Sequence, residues 1–303
     1  MDTTSLPAGA VVVGVDGSDH SGRAVAFAAD EAHLAGRPLV LVHGTGLVLD
    51  VDPYAVRVTH ELEVAGRELV EAAAADVRAR HPRLRLRTVV RRAHPRQALL
   101  DLASSASLLV VGSRGHGPLR TVLLGSVSVG LAREAACPVV VVRPHHAGVV
   151  RRGVLVGDDG TADSRPVLEH AYRHAATHGL PLTVLHSVWD PLAGTDAVRG
   201  AEIDSGADSE DARVRLAESV AGFGEMHPDV HVRLVVARGM PAPALLEVAD
   251  LMDLVVVGRH DRSRMGDLLL GSVAATVVEH ASCPVAVVPV VRVLLGTKSP
   301  GPG

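Results

Sequence analysis

At 303 residues the chain is long enough for two domains, each with its own core. Its 47 % hydrophobic and 21 % charged residues match an ordinary globular protein, and a net charge of −4 with 2 % aromatics offers neither the basic field nor the stacking platforms of a nucleic-acid binder. No apolar run reaches bilayer length and Met1-Asp2-Thr3-Thr4 lacks the basic start of a secretory signal, so the expectation is a cytoplasmic protein without a membrane partner.

The first predicted strand is Ala10 to Val15, a continuous apolar run suited to burial on both faces. Asp16-Gly17-Ser18-Asp19 reads as its exit and as a helix cap, and an Ala-rich helix follows from Ser21 to Gly36. Leu39 to Val42 is a second strand, closing in His43-Gly44. Beyond a polar loop come a helix from about Val58 to Arg80, a strand from Leu84 to Val90 and a helix from Arg96 to Ser104.

The fourth strand, Leu108 to Val111, leads into Gly112-Ser113-Arg114-Gly115, and nine residues later Gly125-Ser126 opens a helix before the last strand, Cys137 to Val142. Glycines let a backbone turn tightly and approach a ligand, and a helix start offers unpaired N–H donors to an anion. A phosphate chain is the expected guest. The alternation of strands and helices predicts a parallel sheet with helices on both faces, with ligands beyond the carboxyl ends where the winding reverses. If the strands ending at Asp16 and Gly112 are neighbours, the motif residues share one crevice.

The chain then repeats itself. Val154 to Thr161 matches Val11 to Ser18, and Leu182 to His186 matches Leu39 to His43, both at an offset of 143. Pro241 to Glu247 matches Pro95 to Asp101, and Gly258, Gly271-Ser272-Val273 and Cys283-Pro284 match Gly112, Gly125-Ser126-Val127 and Cys137-Pro138, all at 146. Three inserted residues are therefore expected near Trp189 or in the helix beyond it. The expected domains are 1–146 and 147–293, linked through Pro144 to Arg152, with a disordered tail at 294–303. Cys137 and Cys283 precede matching strands and read as small buried hydrophobes rather than a disulfide. Lys298 is the only lysine, which excludes a Walker-type phosphate loop.

Val-Gly-Val-Asp-Gly-Ser at 13–18, the strand ending in His43, Val-Val-Gly-Ser-Arg-Gly-His-Gly at 110–117, Leu-Leu-Gly-Ser-Val-Ser at 123–128 and Cys-Pro-Val-Val-Val-Val at 137–142 together resemble the universal stress protein family, as a tandem pair. The resemblance implies two open parallel five-stranded sheets of order 3-2-1-4-5, a Rossmann-like architecture of the adenine nucleotide alpha hydrolase type. It also implies pairing of the two halves through their last strands; a homodimer of the whole chain is left open.

It implies ATP as ligand, with Mg²⁺ as an option. Asp16 would contact the ribose or adenine edge, with Gly14 and Val15 beneath and the backbone around His43 and Gly44 bordering the base. Gly112, Ser113, Arg114 and Gly115 would wrap ribose and phosphates, and Gly125, Ser126 and Val127 would hold the phosphate chain. In the second half the corresponding residues are Gly157, Asp159, Gly258, Gly271, Ser272 and Val273, but Asp261 stands where Gly115 does. Two unit charges 4 to 5 Å apart at a dielectric near 20 repel by roughly 3 to 4 kcal/mol, about two orders of magnitude in affinity. Arg259, Arg262 and Arg264, or Mg²⁺, could offset part of this. The first site is expected to be the stronger.

Plainer roles stand beside these. Asp16, Asp159, Ser126 and Ser272 also suit helix caps, and Arg114, His116 and Arg120 suit either a phosphate contact or the surface. His170, His174 and His178 share one helical face, yet no acidic residue or cysteine is placed by the sequence to complete a metal site, so a packed or solvated face is expected; the first copy has Phe27, Glu31 and Ala35 there. Three functions compete: a nucleotide-dependent regulatory module in the stress response, a slow ATPase or phosphotransferase on the same site, and a nucleotide-free scaffold. No dedicated acidic base accompanies the loop, which favours the first.

Overall fold

The structure is a computed structural model and describes residues 6–46, 53–115, 124–144, 152–188, 207–260 and 272–290. The first half runs β1 (Ala10–Gly14), α1 (Asp19–Leu34), β2 (Leu39–Gly44), α2 (Pro53–Arg80), β3 (Leu86–Arg91), α3 (Pro95–Ala103), β4 (Ala106–Gly112), α4 (Ser126–Glu134) and β5 (Val139–Val142). The second runs β6 (Val154–Gly157), a 3₁₀ turn (Ala162–Ser164), α5 (Arg165–His178), β7 (Leu182–Val188), α6 (Ala207–Val220), α7 (Phe223–Met226), β8 (Val232–Arg238), α8 (Pro241–Ala249), β9 (Leu254–His260), α9 (Ser272–His280) and β10 (Val285–Val290).

Each half has the expected order 3-2-1-4-5, and the two sheets fuse into one of ten strands, β3-β2-β1-β4-β5-β10-β9-β6-β7-β8. Every pairing is parallel except the seam, where β5 and β10 run antiparallel with Val140 opposite Ala286 and Val139 and Val141 opposite Val287 and Val285. Because 139–141 and 285–287 are the same positions of the repeat, a pseudo-two-fold axis passes beside Val140 and Ala286. The Val-rich strands are buried on both faces, as parallel strands between helix layers require. One apolar layer packs under α1, α2, α5 and α6 and the other under α3, α4, α8 and α9, and both layers run through the two halves.

Element ends differ from expectation where local chemistry is ambiguous. β1 stops at Gly14, β3 lies one to two residues later than expected, and α2 starts at Pro53, whose missing N–H costs nothing in a first helical turn. In the second half the counterpart of α2 is broken: α6 ends at Val220, and Gly222 at φ +84° separates it from α7. Leu216 and Phe223 already fill the places of Val70 and Val77 at the offset of 146, so the insertion falls before them, between Val188 and Leu216. Both cysteines are buried and free, and burial pushes the Cys137 thiol up to about 12. Most of the linker and the whole tail lie outside the described residues, among which no helix is long and apolar enough to cross a membrane.

Candidate functional site

β1 pairs with β2 on one side and β4 on the other, so the winding reverses between β1 and β4 and both strands end at the same crevice. Asp16 follows β1 directly. Its Oδ1 accepts from the Ser18 amide at 3.0 Å and the Ser18 hydroxyl at 2.7 Å, while the Ser18 side chain caps α1 by accepting from the Ser21 amide at 3.1 Å. The cap reading of this segment therefore holds, and it employs one carboxylate oxygen. The other, Oδ2, lies against Gly115, where an added Cβ would collide with it. A side chain at 115 would push the Asp16 carboxylate aside, so glycine keeps the loop after β4 against it.

The β4 exit is equally tight. A Cβ on Gly112 would stand 2.7 Å from the backbone of His20 in the first turn of α1. Ser113 is buried: its amide donates to Val142 O and its hydroxyl lies 3.1 Å from His20 Nδ1, so its side chain serves the α1 contact. The Gly125 amide donates to Ser113 O at 2.8 Å and the Ser128 hydroxyl to Gly112 O at 2.7 Å. These two bonds dock the start of α4 onto the end of β4. They close a loop whose middle, residues 116–123 with His116 and Arg120, lies outside the described residues.

No side chain caps α4. A Cβ on Gly125 would meet Arg114 Cα and Ser113 O at an ordinary 3.6 Å, so packing alone does not demand glycine. Ser126 is exposed and Val127 half-buried beside it. A helix start at a glycine with no side-chain cap among the described residues leaves amide donors of the kind an anion accepts from.

The remaining first-half residues supply the floor. Val15 is buried in the α1–α2 layer, its amide donating to Val42 O, and its carbonyl meets His43 Nδ1 at 2.7 Å, a structural role for that histidine. Gly14 is tight against Leu99, and Gly44 has the backbone of Ala93 to Pro95 where a side chain would be. Two residues were not foreseen. His20 borders the site from α1; burial and then the charges of Arg23 and Arg114 push its pKa down, against Asp16 and Asp19. Its place four residues beyond Asp16, in the first turn of the following helix, was the available signal. Arg143 leaves the end of β5 for the Val278 and Glu279 carbonyls at the end of α9; burial and the Arg114 charge lower its pKa.

The second half repeats the skeleton with other chemistry. Asp159 Oδ1 accepts from the Thr161 amide and hydroxyl and from the Ser164 hydroxyl, each within 2.8 Å. Gly157 packs on Leu245 as Gly14 does on Leu99, and His186 Nδ1 lies 2.8 Å from Asp158 O. Gly258 pairs with Val288 two residues before β9 ends and is tight against Val167, and Ser272 and Val273 open α9. Asp158 replaces Val15. It is just as buried, its Oδ2 accepting from the Ser219 hydroxyl at 2.6 Å and its Oδ1 having no hydrogen-bond partner among the described residues. Arg259, expected near phosphates, instead donates across the seam to Ala135 O at 2.7 Å. Asp261, Arg262, Arg264 and Gly271 lie outside the described residues. A hollow of about 550 Å³ lies between β7, β8 and α8, with Arg152, Pro181 and His231 at the amino ends of the strands in its lining.

The chain matches the model of the universal stress protein family twice, over residues 8–143 and 151–289. It is 38 % identical over 286 residues to a universal stress protein of Mycolicibacterium smegmatis, covering 92 % of this chain and 96 % of that one. A universal stress protein of Mycobacterium tuberculosis is 35 % identical over 294 residues, covering 91 % and 95 %. Among solved structures, a universal stress protein from Archaeoglobus fulgidus superposes with a TM-score of 0.70 at 19 % identity, covering 94 % of this chain and 99 % of that one, a likeness of fold. Two family matches in tandem, and relatives of the same two-domain extent, leave one conclusion: the chain belongs to the universal stress protein family.

Proposed function

We propose that the first half binds an adenine nucleotide, ATP with Mg²⁺ in the cytoplasm, and that the protein acts as a nucleotide-dependent regulatory module of the stress response. The observation that carries this reading is the convergence of Gly115 and Asp16: the loop after β4 packs onto the carboxylate, where a Cβ at Gly115 would push the Asp16 side chain aside, and the start of α4 is tied to the same strand exit. A carboxylate oxygen accepts ribose hydroxyls without needing a proton of its own, and helix-start amides take phosphate oxygens. Asp16 and the main chain of 112–115 and 125–127 would hold the nucleotide; Mg²⁺ would neutralise phosphate charge beside them.

Native mass spectrometry of freshly purified protein tests this, with one ATP per chain expected and a mass of bare polypeptide at saturating ATP as the contrary result. A phosphate-release assay on the loaded protein separates a binder, with turnover at background, from an ATPase.

A further inference from the structure

The seam between the halves brings together three groups that the repeat alone keeps apart. Residues 31 and 174 are the same position of the two copies, at the offset of 143, and α1 and α5 meet beside the pseudo-two-fold axis. In a symmetric pair, Glu31 would face a second Glu31 and repel it. Here the second copy carries His174 at that position and His178 one turn on. Glu31 Oε1 lies 2.6 Å from His178 Nε2 and 3.3 Å from His174 Nδ1, and all three donor atoms fall within 4.8 Å of one another. The two imidazoles stack at 4.2 Å and Phe27 stacks on His174, which fixes the rings.

We propose that Glu31, His174 and His178 form a divalent transition-metal site, of the Zn²⁺ class, that staples the first half to the second. Histidines at i and i+4 on one helix with a carboxylate from another element form a three-ligand set that leaves a fourth position for water. Around a tetrahedral ion with bonds of about 2.1 Å, ligand atoms stand about 3.4 Å apart, so the contact of Glu31 with His178 need open by about 1 Å or less while that with His174 is already near this spacing. The carboxylate and two neutral imidazoles suit a borderline ion better than Ca²⁺ or Mg²⁺, which prefer oxygen. Glu31 and His174 are nearly buried while 22 % of the His178 side chain is exposed, so an ion has a way in from that side. Asp30 and Asp253 act electrostatically on His178 and add the negative field that favours a cation, while Arg173 and His170 stand on the same helix.

The test uses the full chain stripped of metal with a chelator and titrated with Co²⁺, then Zn²⁺, at pH 8. Expected are one equivalent of Co²⁺ with visible absorption bands of a four- or five-coordinate ion, displacement of those bands by Zn²⁺, and an unfolding temperature that climbs with metal concentration. His178→Ala, on the more exposed side, and Glu31→Gln should each weaken Co²⁺ binding about a hundredfold or more, while His280→Ala, on the surface of α9, leaves it unchanged. Metal binding should also strengthen from pH 6 to pH 8, since imidazoles ligate only when unprotonated. Absence of the bands in folded protein at millimolar Co²⁺, or equal binding by wild type and His178→Ala, overturns the proposal.

Discussion

The two strand exits, Val15-Asp16-Gly17-Ser18 and Asp158-Asp159-Gly160-Thr161, share the aspartate that accepts from the residue two on and the histidine contact to the strand exit, yet differ at one buried side chain. In the first half Val15 closes the floor with methyl groups. In the second, Asp158 sets a carboxylate in the same place, with one oxygen held by Ser219 and the other unpartnered. Asp159 follows it in the chain, and Asp261 is the residue that the repeat sets at the position of Gly115. The strands and the two apolar layers run through both halves regardless.

The largest expected effect comes from moving that difference into the first half. Gly115→Asp places a Cβ against Asp16 Oδ2 and a second negative charge within about 5 Å of it, a repulsion of roughly 3 kcal/mol at a dielectric near 20. ATP affinity measured by calorimetry should fall about a hundredfold or more, with the circular dichroism spectrum unchanged. An unaltered affinity would place the nucleotide elsewhere. The reverse change, Asp261→Gly, should help the second half only in part, because Asp158 and Asp159 remain; pairing it with Asp158→Val should give the larger gain.

Asp158→Val sharpens the comparison in stability. It removes a buried carboxylate oxygen that lacks a partner, and Ser219 keeps its second bond to Leu216 O at 2.9 Å. Urea unfolding should show a gain of about 1–3 kcal/mol, and Val15→Asp in the first half a loss of at least that size.

How much of this was legible in sequence follows from the range of each interaction. Continuous runs such as Val139 to Val142, and glycines at fixed spacing, report local needs, so the strands and the tandem halves could be read directly, while the strand order that makes Asp16 and Gly112 neighbours came with the family resemblance. Asp159 holds Thr161, two residues away, but it does not cap the helix that follows. Glu31 opposite His174 was not legible: its meaning depends on the antiparallel seam between β5 and β10, 143 residues along the chain, which no periodicity records. The bond from Arg259 to Ala135 was illegible for the same reason, since its acceptor belongs to the other half. Nor did the sequence record that Gly44 lies against the turn at Ala93 to Pro95, which leaves no room for a Cβ.

The seam carries a pH dependence of its own. Glu31 is held at about 2, so its contribution is present above 4.5 and lost as pH falls through 2. The hydrogen bond to Glu31 raises His178 above 6.5, despite burial, with Asp30 and Asp253 adding to the Glu31 charge; its contribution is present below 6.5 and lost as pH rises through the raised value. Both act together between about 4.5 and 6.5. His170 works in the opposite sense: burial brings it down to about 3, so acid below 6.5 favours the unfolded chain. In metal-free protein the stability difference between wild type and Glu31→Gln should therefore be larger at pH 5.5 than at pH 9, by on the order of 1 kcal/mol. A difference that does not change with pH would mean that the carboxylate and imidazole do not share a proton.

The smallest effect separates the two roles open to Arg259. Its counterpart in the first half is Ser113, which stays within its own domain against His20, whereas Arg259 crosses to the carbonyl of Ala135 at the end of α4. A guanidinium at a helix C-terminus contributes about 0.5–1 kcal/mol, and Arg143 makes the matching contact at the end of α9 from the other side. Arg259→Ser should lower the unfolding free energy by that amount while ATP affinity stays within about twofold, because the residue spends its charge on the seam. A loss of nucleotide binding instead, with stability intact, would return Arg259 to the phosphates and make the two halves more alike in function than their buried carboxylates imply.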